Sequence, residues 1–348
     1  MKKSLFIIFI IGALISQSCS QTNNKQNNAE YLIMFYNVEN LFDTIDHPEK
    51  RDDDFTPEGR KEWTIKRFNK KINDLAKVID AVGDKKPADL IGLAEIENRQ
   101  VLEKLVAHKL LKRQGYQIIH FESPDERGID VALLYRESRV KKAFAEKIYV
   151  DFAWDKDDKT RDILYAKVLI EKEPFHIFVN HWSSRGGGRE KTEPKRIKSA
   201  ELLRGKVDSI YNKNTNASII VMGDFNDEPD NISIKRVLFA NGKKQNCNSS
   251  LYNLAWKPYK KGQGSYHYWR ENEWNMLDQI IVSRNLISDQ NDLLSVRSKS
   301  QEIFSPKWLM YKNEDNIMVP SKTFGKNYYG GFSDHLPVYI YLNVTNRN

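Results

Sequence analysis

Several polar residues sit at the ends of short apolar runs, and their types suit chemistry on a phosphate. Asn37 follows Tyr31–Tyr36, and Glu95 follows Leu90–Leu93 with one residue between. His181 comes just after Phe175–Val179, and Asp224, with Asn226 two residues on, just after Ile219–Met222. Asp278 instead precedes Gln279–Val282, and Asp334 with His335 precedes Val338–Leu342. Short apolar runs bounded by turn residues read as buried strands. If the last two strands run opposite to the first four, all these groups meet at one sheet edge, where a rigid scaffold displays chemistry.

Metal-assisted hydrolysis of a phosphate ester fits this set. Glu95 supplies a hard oxygen ligand, and Asn37 and Asp334 add others, as Mg2+ or Mn2+ prefers. Asp224 is a candidate base or orienter for the attacking water, with Asn226 on the same side. His181 and His335 can bind or protonate phosphoryl oxygens, where charge builds in the transition state. Asp278 would hold one imidazole in its working tautomer. Glu39 and Glu97 compete for the metal but read more simply as supporting groups. In Ser183–Arg189 the glycines free backbone amides and Arg185 and Arg189 add charge, a substrate-binding loop on one reading and a solvated one on the other. Asp52, Asp53 and Asp54 form an acidic turn; a structural Ca2+ is a further expectation for the chain, although a solvated turn explains these three equally well.

The elements that must position these groups alternate strand and helix. Trp63–Val82 repeats Ile65, Phe68, Ile72, Leu75, Ile79 and Val82 at steps of three or four, with Gly83 as a stop. Lys195–Tyr211 repeats Ile197, Ala200, Leu203, Val207 and Ile210 at the same period. The alternation predicts a layered α/β fold. The 348 residues are 40% hydrophobic and 29% charged, which excludes a disordered chain, and no repeat of solenoid or coiled-coil period occurs.

The first residues predict export. Lys2 and Lys3 precede an apolar core, Leu5–Ile15, too short to span a membrane, and small residues lead to Cys19. Residues 1–18 read as a lipoprotein signal peptide, with Cys19 as the lipidated terminus and the membrane as partner through that lipid. Residues 19–29 are a polar tether and 30–346 one domain, expected to be monomeric. Cys247 is then left without a disulfide partner. The net charge of +8 falls to +6 without Lys2 and Lys3, which suits an anionic substrate.

At its polar residues the sequence resembles the endonuclease/exonuclease/phosphatase family, which contains deoxyribonuclease I and the abasic-site endonucleases. The resemblance rests on Phe35-Tyr36-Asn37-Val38-Glu39-Asn40, Ala94-Glu95-Ile96-Glu97, Val179-Asn180-His181-Trp182, Gly223-Asp224-Phe225-Asn226, Leu277-Asp278-Gln279-Ile280 and Ser333-Asp334-His335-Leu336-Pro337-Val338. It implies a four-layer sandwich, two mixed β-sheets face to face with helices outside. It also implies Glu95 as the metal-binding glutamate beside Asn37, Asp224 and Asn226 as the pair handling water and phosphate, and Asp278 as the partner of His335. By the same resemblance Glu122 pairs with His181, and Arg161 contacts phosphate. Ala94 stands where the family usually has Gln. The Asn37–Asp43 stretch and Arg127-Gly128-Ile129-Asp130 look most like a bacterial branch of exported members.

Within this frame the leading expectation is a metal-dependent, endonuclease-like phosphodiesterase acting on nucleic acid outside the cytoplasm. A phosphatase or phospholipase on inositol phosphates, sphingomyelin or nucleotides is the alternative, and a catalytically silent binding protein the second. Aromatics between Trp256 and Trp274 could stack on bases, and no conspicuous apolar hairpin marks a lipid-binding surface.

Overall fold

The computed structural model describes residues 28–84, 86–243, 250–287 and 294–345. The signal peptide, Cys19, most of the tether and Cys247 lie outside the described residues. Among the described residues no helix is long and apolar enough to cross a membrane.

The chain begins with β1 (Asn28–Leu41), α1 (Ile65–Ala81), β2 (Leu90–Ile96), α2 (Arg99–Val106), β3 (Tyr116–His120) and β4 (Asp130–Arg136). It continues with β5 (Val140–Ile148), β6 (Ile163–Ile170), β7 (Glu173–His181), α3 (Arg189–Tyr211) and β8 (Ser218–Asp224). Short elements follow: β9 (Ala240–Asn241), β10 (Leu251–Asn253), α4 (Trp256–Lys260), β11 (Tyr266–Tyr268) and β12 (Glu273–Asn275). The last are β13 (Asp278–Ser283), β14 (Leu294–Val296), β15 (Glu302–Ile303), β16 (Met310–Lys312), β17 (Met318–Pro320) and β18 (Val338–Thr345).

Two large mixed sheets result. One has the order β14-β18-β1-β2-β4-β3, with β15 also on β18; the other runs β5-β6-β7-β8-β13-β10-β9. The inner faces share one core, in which Ile33, Phe35, Leu90 and Leu133 of the first sheet meet Val168, Ile177, Ile220 and Ile280 of the second. Both faces of each sheet are covered, so β2 and β8 are apolar almost throughout rather than alternating. On the outside of the first sheet, Leu75 and Ile79 of α1 pack on Met34 and Ile91. On the outside of the second, Leu203 and Val207 of α3 pack with Phe178 and Val221. Each fully buried leucine contributes about 1.5–3 kcal/mol. The arrangement is the expected four-layer sandwich.

Thr64 caps α1 by accepting the Arg67 N–H, which starts the helix where its apolar stripe begins. Gly92 faces Met222 across the two sheets: a Cβ there would fall 2.6 Å from the Met222 sulfur.

Candidate active site

β1 and β2 run parallel, as do β7 and β8, while β18 is antiparallel to β1 and β13 to β8. The carboxyl ends of the first four strands therefore share an edge with the amino ends of β13 and β18. Asp224 and Asp278 are direct register partners, as are His181 and Asp224. β1 continues four residues past Asn37 instead of ending before it. At Glu95 the ladder with β4 shifts register and the backbone turns left-handed, φ 65°. A non-glycine residue there costs about 1–3 kcal/mol and persists because the surroundings fix it. The Asn40 N–H donates to the Glu95 carboxylate at 2.9 Å and contributes to that fixing.

These strands bring Asn37, Glu95, His181, Asp224, Asn226, Asp278, Asp334 and His335 together. Asn37 Nδ2 donates to Asp224 Oδ2 at 3.0 Å and lies 3.4 Å from Glu95 Oε1. Its Oδ1 accepts the Glu39 N–H. Asn37, expected as an oxygen ligand, therefore presents its NH2 and bridges the two carboxylates. His181 Nε2 sits 3.6 Å from Asp224 Oδ2 and 3.9 Å from Glu95 Oε1. His335 Nδ1 donates to Asp278 Oδ2 at 2.7 Å, and its Nε2 stands 3.8 Å from Asp224. Ser265 Oγ donates to the same Asp278 oxygen. The Asn226 N–H donates to Asp224 Oδ1, and its side-chain amide to the Trp182 carbonyl. The turn before β18 is tied down by Ser333, whose hydroxyl donates to Asn37 O and accepts the His335 N–H.

Burial would lower the His335 pKa, but Asp278 and Asp224 on either side hold it well above the ordinary histidine value, so the ring is an imidazolium at neutral pH. His181 is pushed well below by burial and then by the charges of Arg161 and Arg127, so its ring is neutral. Burial raises Asp224 to about 6 against the pull of His335. One imidazole can thus supply a proton and positive charge, and the other only a neutral hydrogen bond.

The donor set fits a hard divalent cation. Glu95 and Asp334 keep 15% and 36% of their side-chain surface at the mouth, leaving oxygens open to a metal. Asp224, Asp278 and His335 also lie close enough together to hold an ion. The Asp278 oxygen facing His335 already accepts from the imidazole and from Ser265, however, which marks a carboxylate–histidine pair rather than two metal ligands.

Three expected substrate contacts are placed differently. No hydrogen bond joins Glu122 to His181: His181 Nδ1 is buried without a partner, and Glu122 lies 4.0 Å from His120. The carboxylate paired with His120 is Asp130, 3.0 Å away. The expected acid thus stands beside a histidine that already has its own carboxylate. Arg161 is buried, bound to Asp125 and to the Trp182 carbonyl that also receives Asn226, so it braces the site from behind. Arg185 donates to Asn226 O and Asn275 Oδ1, tying its loop to the site and to β12.

Tyr266, one of the aromatics between Trp256 and Trp274, packs its ring 4.8 Å from that of His335. One further residue escaped the sequence reading. Lys71 is fully buried behind Asp334; the signal was a lysine on the apolar stripe of α1, three residues after Phe68 and four before Leu75.

The sequence matches the endonuclease/exonuclease/phosphatase family over residues 32–344. A comparison with curated proteins finds no match. Among solved structures, an endonuclease/exonuclease/phosphatase family protein from Bacteroides thetaiotaomicron is 16% identical with a TM-score of 0.57, covering 92% of this chain and 100% of that one. The Bacteroides thetaiotaomicron mannosyl-6-phosphatase is 16% identical with a TM-score of 0.56, covering 90% and 99%. D. rerio TDP2 complexed with a single-strand DNA product is 16% identical with a TM-score of 0.54, covering 91% and 100%. Sandwich topology and a family match that spans the sandwich together assign this chain to the endonuclease/exonuclease/phosphatase family, hydrolases of phosphate ester bonds.

Proposed function

We propose that the chain is a divalent-metal-dependent phosphodiesterase that cleaves nucleic acid outside the cytoplasm, as an exported monomer anchored by a lipid on Cys19. The observation that carries the hydrolytic reading is the convergence of Glu95, Asp224 and the Asp278–His335 pair at one rim, with Asn37 bridging two of the carboxylates. A Mg2+ or Mn2+ ion held by Glu95 and Asp334 would polarise the phosphoryl group. Asp224, oriented by Asn37 and the Asn226 N–H, takes the proton of the attacking water. His335, charged by its partner, steadies the phosphoryl oxygens, and neutral His181 donates a second hydrogen bond to them.

Nucleic acid is favoured by the net charge of +6 left on the exported chain, which is +8 less Lys2 and Lys3, and by a structurally similar protein that holds a single-strand DNA product. Export and the anchor rest on the Leu5–Ile15 core before Cys19. A second reading, a small phosphate ester, has its own support. A groove of about 910 Å³ beyond the ends of β1 and β2 is lined by six acids, Asp43, Asp52 and Glu97 among them, against Lys50 and Lys104, and that excess of acids disfavours a long polyanion.

The test is hydrolysis of plasmid DNA, RNA, nucleotides and bis-p-nitrophenyl phosphate by purified protein, first with magnesium and then with EDTA. Magnesium-dependent cleavage of DNA or RNA is expected. Cleavage of phosphomonoesters alone overturns the nuclease reading, and hydrolysis that survives both EDTA and Asp224→Ala overturns the mechanism.

A further inference from the structure

The loop that delivers Asp334 and His335 is held by a buried charged clamp that no catalytic step above uses. Lys71, on the inward stripe of α1, is 2% exposed. Its ammonium donates to Thr323 Oγ1 at 2.5 Å and to the Phe332 carbonyl at 2.6 Å. Glu39, past the bend of β1, accepts the Thr323 N–H at 2.6 Å and the Phe324 N–H at 2.9 Å. Glu39 is itself left-handed, φ 51°, which turns its carboxylate toward that loop. The two residues thus grip both ends of the segment from Thr323 to Phe332, and Asp334 lies two residues beyond it.

Packing alone does not account for a lysine there. An ammonium removed from water is costly unless strongly paired, and an apolar side chain of similar length would fill the space without that cost. The carboxylates whose charge favours the Lys71 ammonium are Glu39, Asp334, Glu95 and Asp74, and two of these stand at the mouth of the site. A fixed cation behind them offsets their mutual repulsion while the backbone bond to Phe332 sets where Asp334 stands.

We propose that Lys71, with Glu39, is a positioning residue for metal binding: it holds Asp334 against Glu95 so that both oxygens reach one divalent cation. This rests on the metal site proposed above but not on the identity of the substrate.

The experiment is calorimetric titration of the full chain with Mn2+, without substrate, alongside thermal melts. Glu95→Gln identifies the site by abolishing the Mn2+ isotherm. Lys71→Met is expected to weaken Mn2+ at least about tenfold, the range seen when a supporting partner of a metal ligand is lost, and Lys71→Arg to recover most of it. Thr323→Val, which removes one acceptor of Lys71 without burying a charge, should weaken Mn2+ in the same direction by less, and it decides the matter if Lys71→Met does not fold. Wild-type Mn2+ affinity in a folded Lys71→Met, or in Thr323→Val, overturns the proposal even if the melting temperature falls. An isotherm that survives Glu95→Gln overturns it together with the metal site. Mn2+ binding that behaves as expected in a protein that cleaves no nucleic acid upholds the clamp and removes only the nuclease reading.

Discussion

On the side of the cleft built by β13 and the turn before β18, a histidine and an aspartate form a tight pair, His335 with Asp278, and Ser265 fixes the aspartate from below. On the side built by β7, His181 reaches the same Asp224 oxygen at nearly the same distance but has no carboxylate behind it, and its Nδ1 is left without a partner. The residue types are alike, and the surroundings drive one ring to a cation and the other to the neutral form. A buried acid fixes His335 as a cation, while burial among arginine charges keeps His181 neutral. The cleft therefore offers a phosphoryl group one charged wall and one uncharged wall, and the difference resides in what stands behind each ring.

The comparison can be attacked directly. Asp224 serves both walls, so Asp224→Asn should cost the most, at least about a thousandfold in kcat, read in single-turnover hydrolysis with the metal saturating. Asp278→Asn leaves His335 in place but removes the group that raises its pKa, and should cost roughly a hundred- to a thousandfold. The sign is fixed: a cation whose pKa drops loses its proton at lower pH. The pH–rate profile of Asp278→Asn should therefore turn down at a lower pH than that of the wild type, and an unchanged profile would mean that His335 is not the charged wall. His181→Ala should cost about tenfold to a hundredfold with no such movement of the profile. Glu122→Gln, by contrast, should change kcat less than about threefold, since its carboxylate faces His120 and not the cleft.

The smallest effect lies in the neighbouring acidic groove. Burial raises Glu97 to about 8. The folded chain therefore holds a proton there that the unfolded chain gives up near its ordinary value, and stability is lost as pH rises through that window. Glu97→Gln keeps an acceptor for the Asp43 N–H and should raise the melting temperature by about 2 °C at pH 8.5, with little change at pH 4. Equal shifts at both pH values would contradict the sign of the Glu97 displacement.

Much of this was legible in the sequence because strands covered on both faces leave a strong signal. Leu90–Leu93, Ile219–Met222 and Ile280–Val282 are unbroken apolar runs, and the polar residues that flank them had to fall at the sheet edge. Strand β6 escaped although it is nearly as apolar, since Lys167 interrupts it and no chemical residue stands at its end to draw attention. The Glu122 pairing could not be read because the turn after β3 decides where that side chain points, and it leaves Glu122 beside His120, whose partner is Asp130. The orientation of the Asn37 amide is set by the bend at Glu39, a backbone property that spacing does not record.

Gly92 gives the architecture a last consequence. Glu95 and Asn37 belong to one sheet, Asp224 and His181 to the other, and the strands that carry them touch where Gly92 meets Met222. The gap across which water and phosphate must be gripped is thus inherited from the thickness of the apolar filling beneath it. A methyl group added at that contact would have to displace the Met222 side chain from the filling between the sheets, so the interior beneath the rim leaves little spare room at this point.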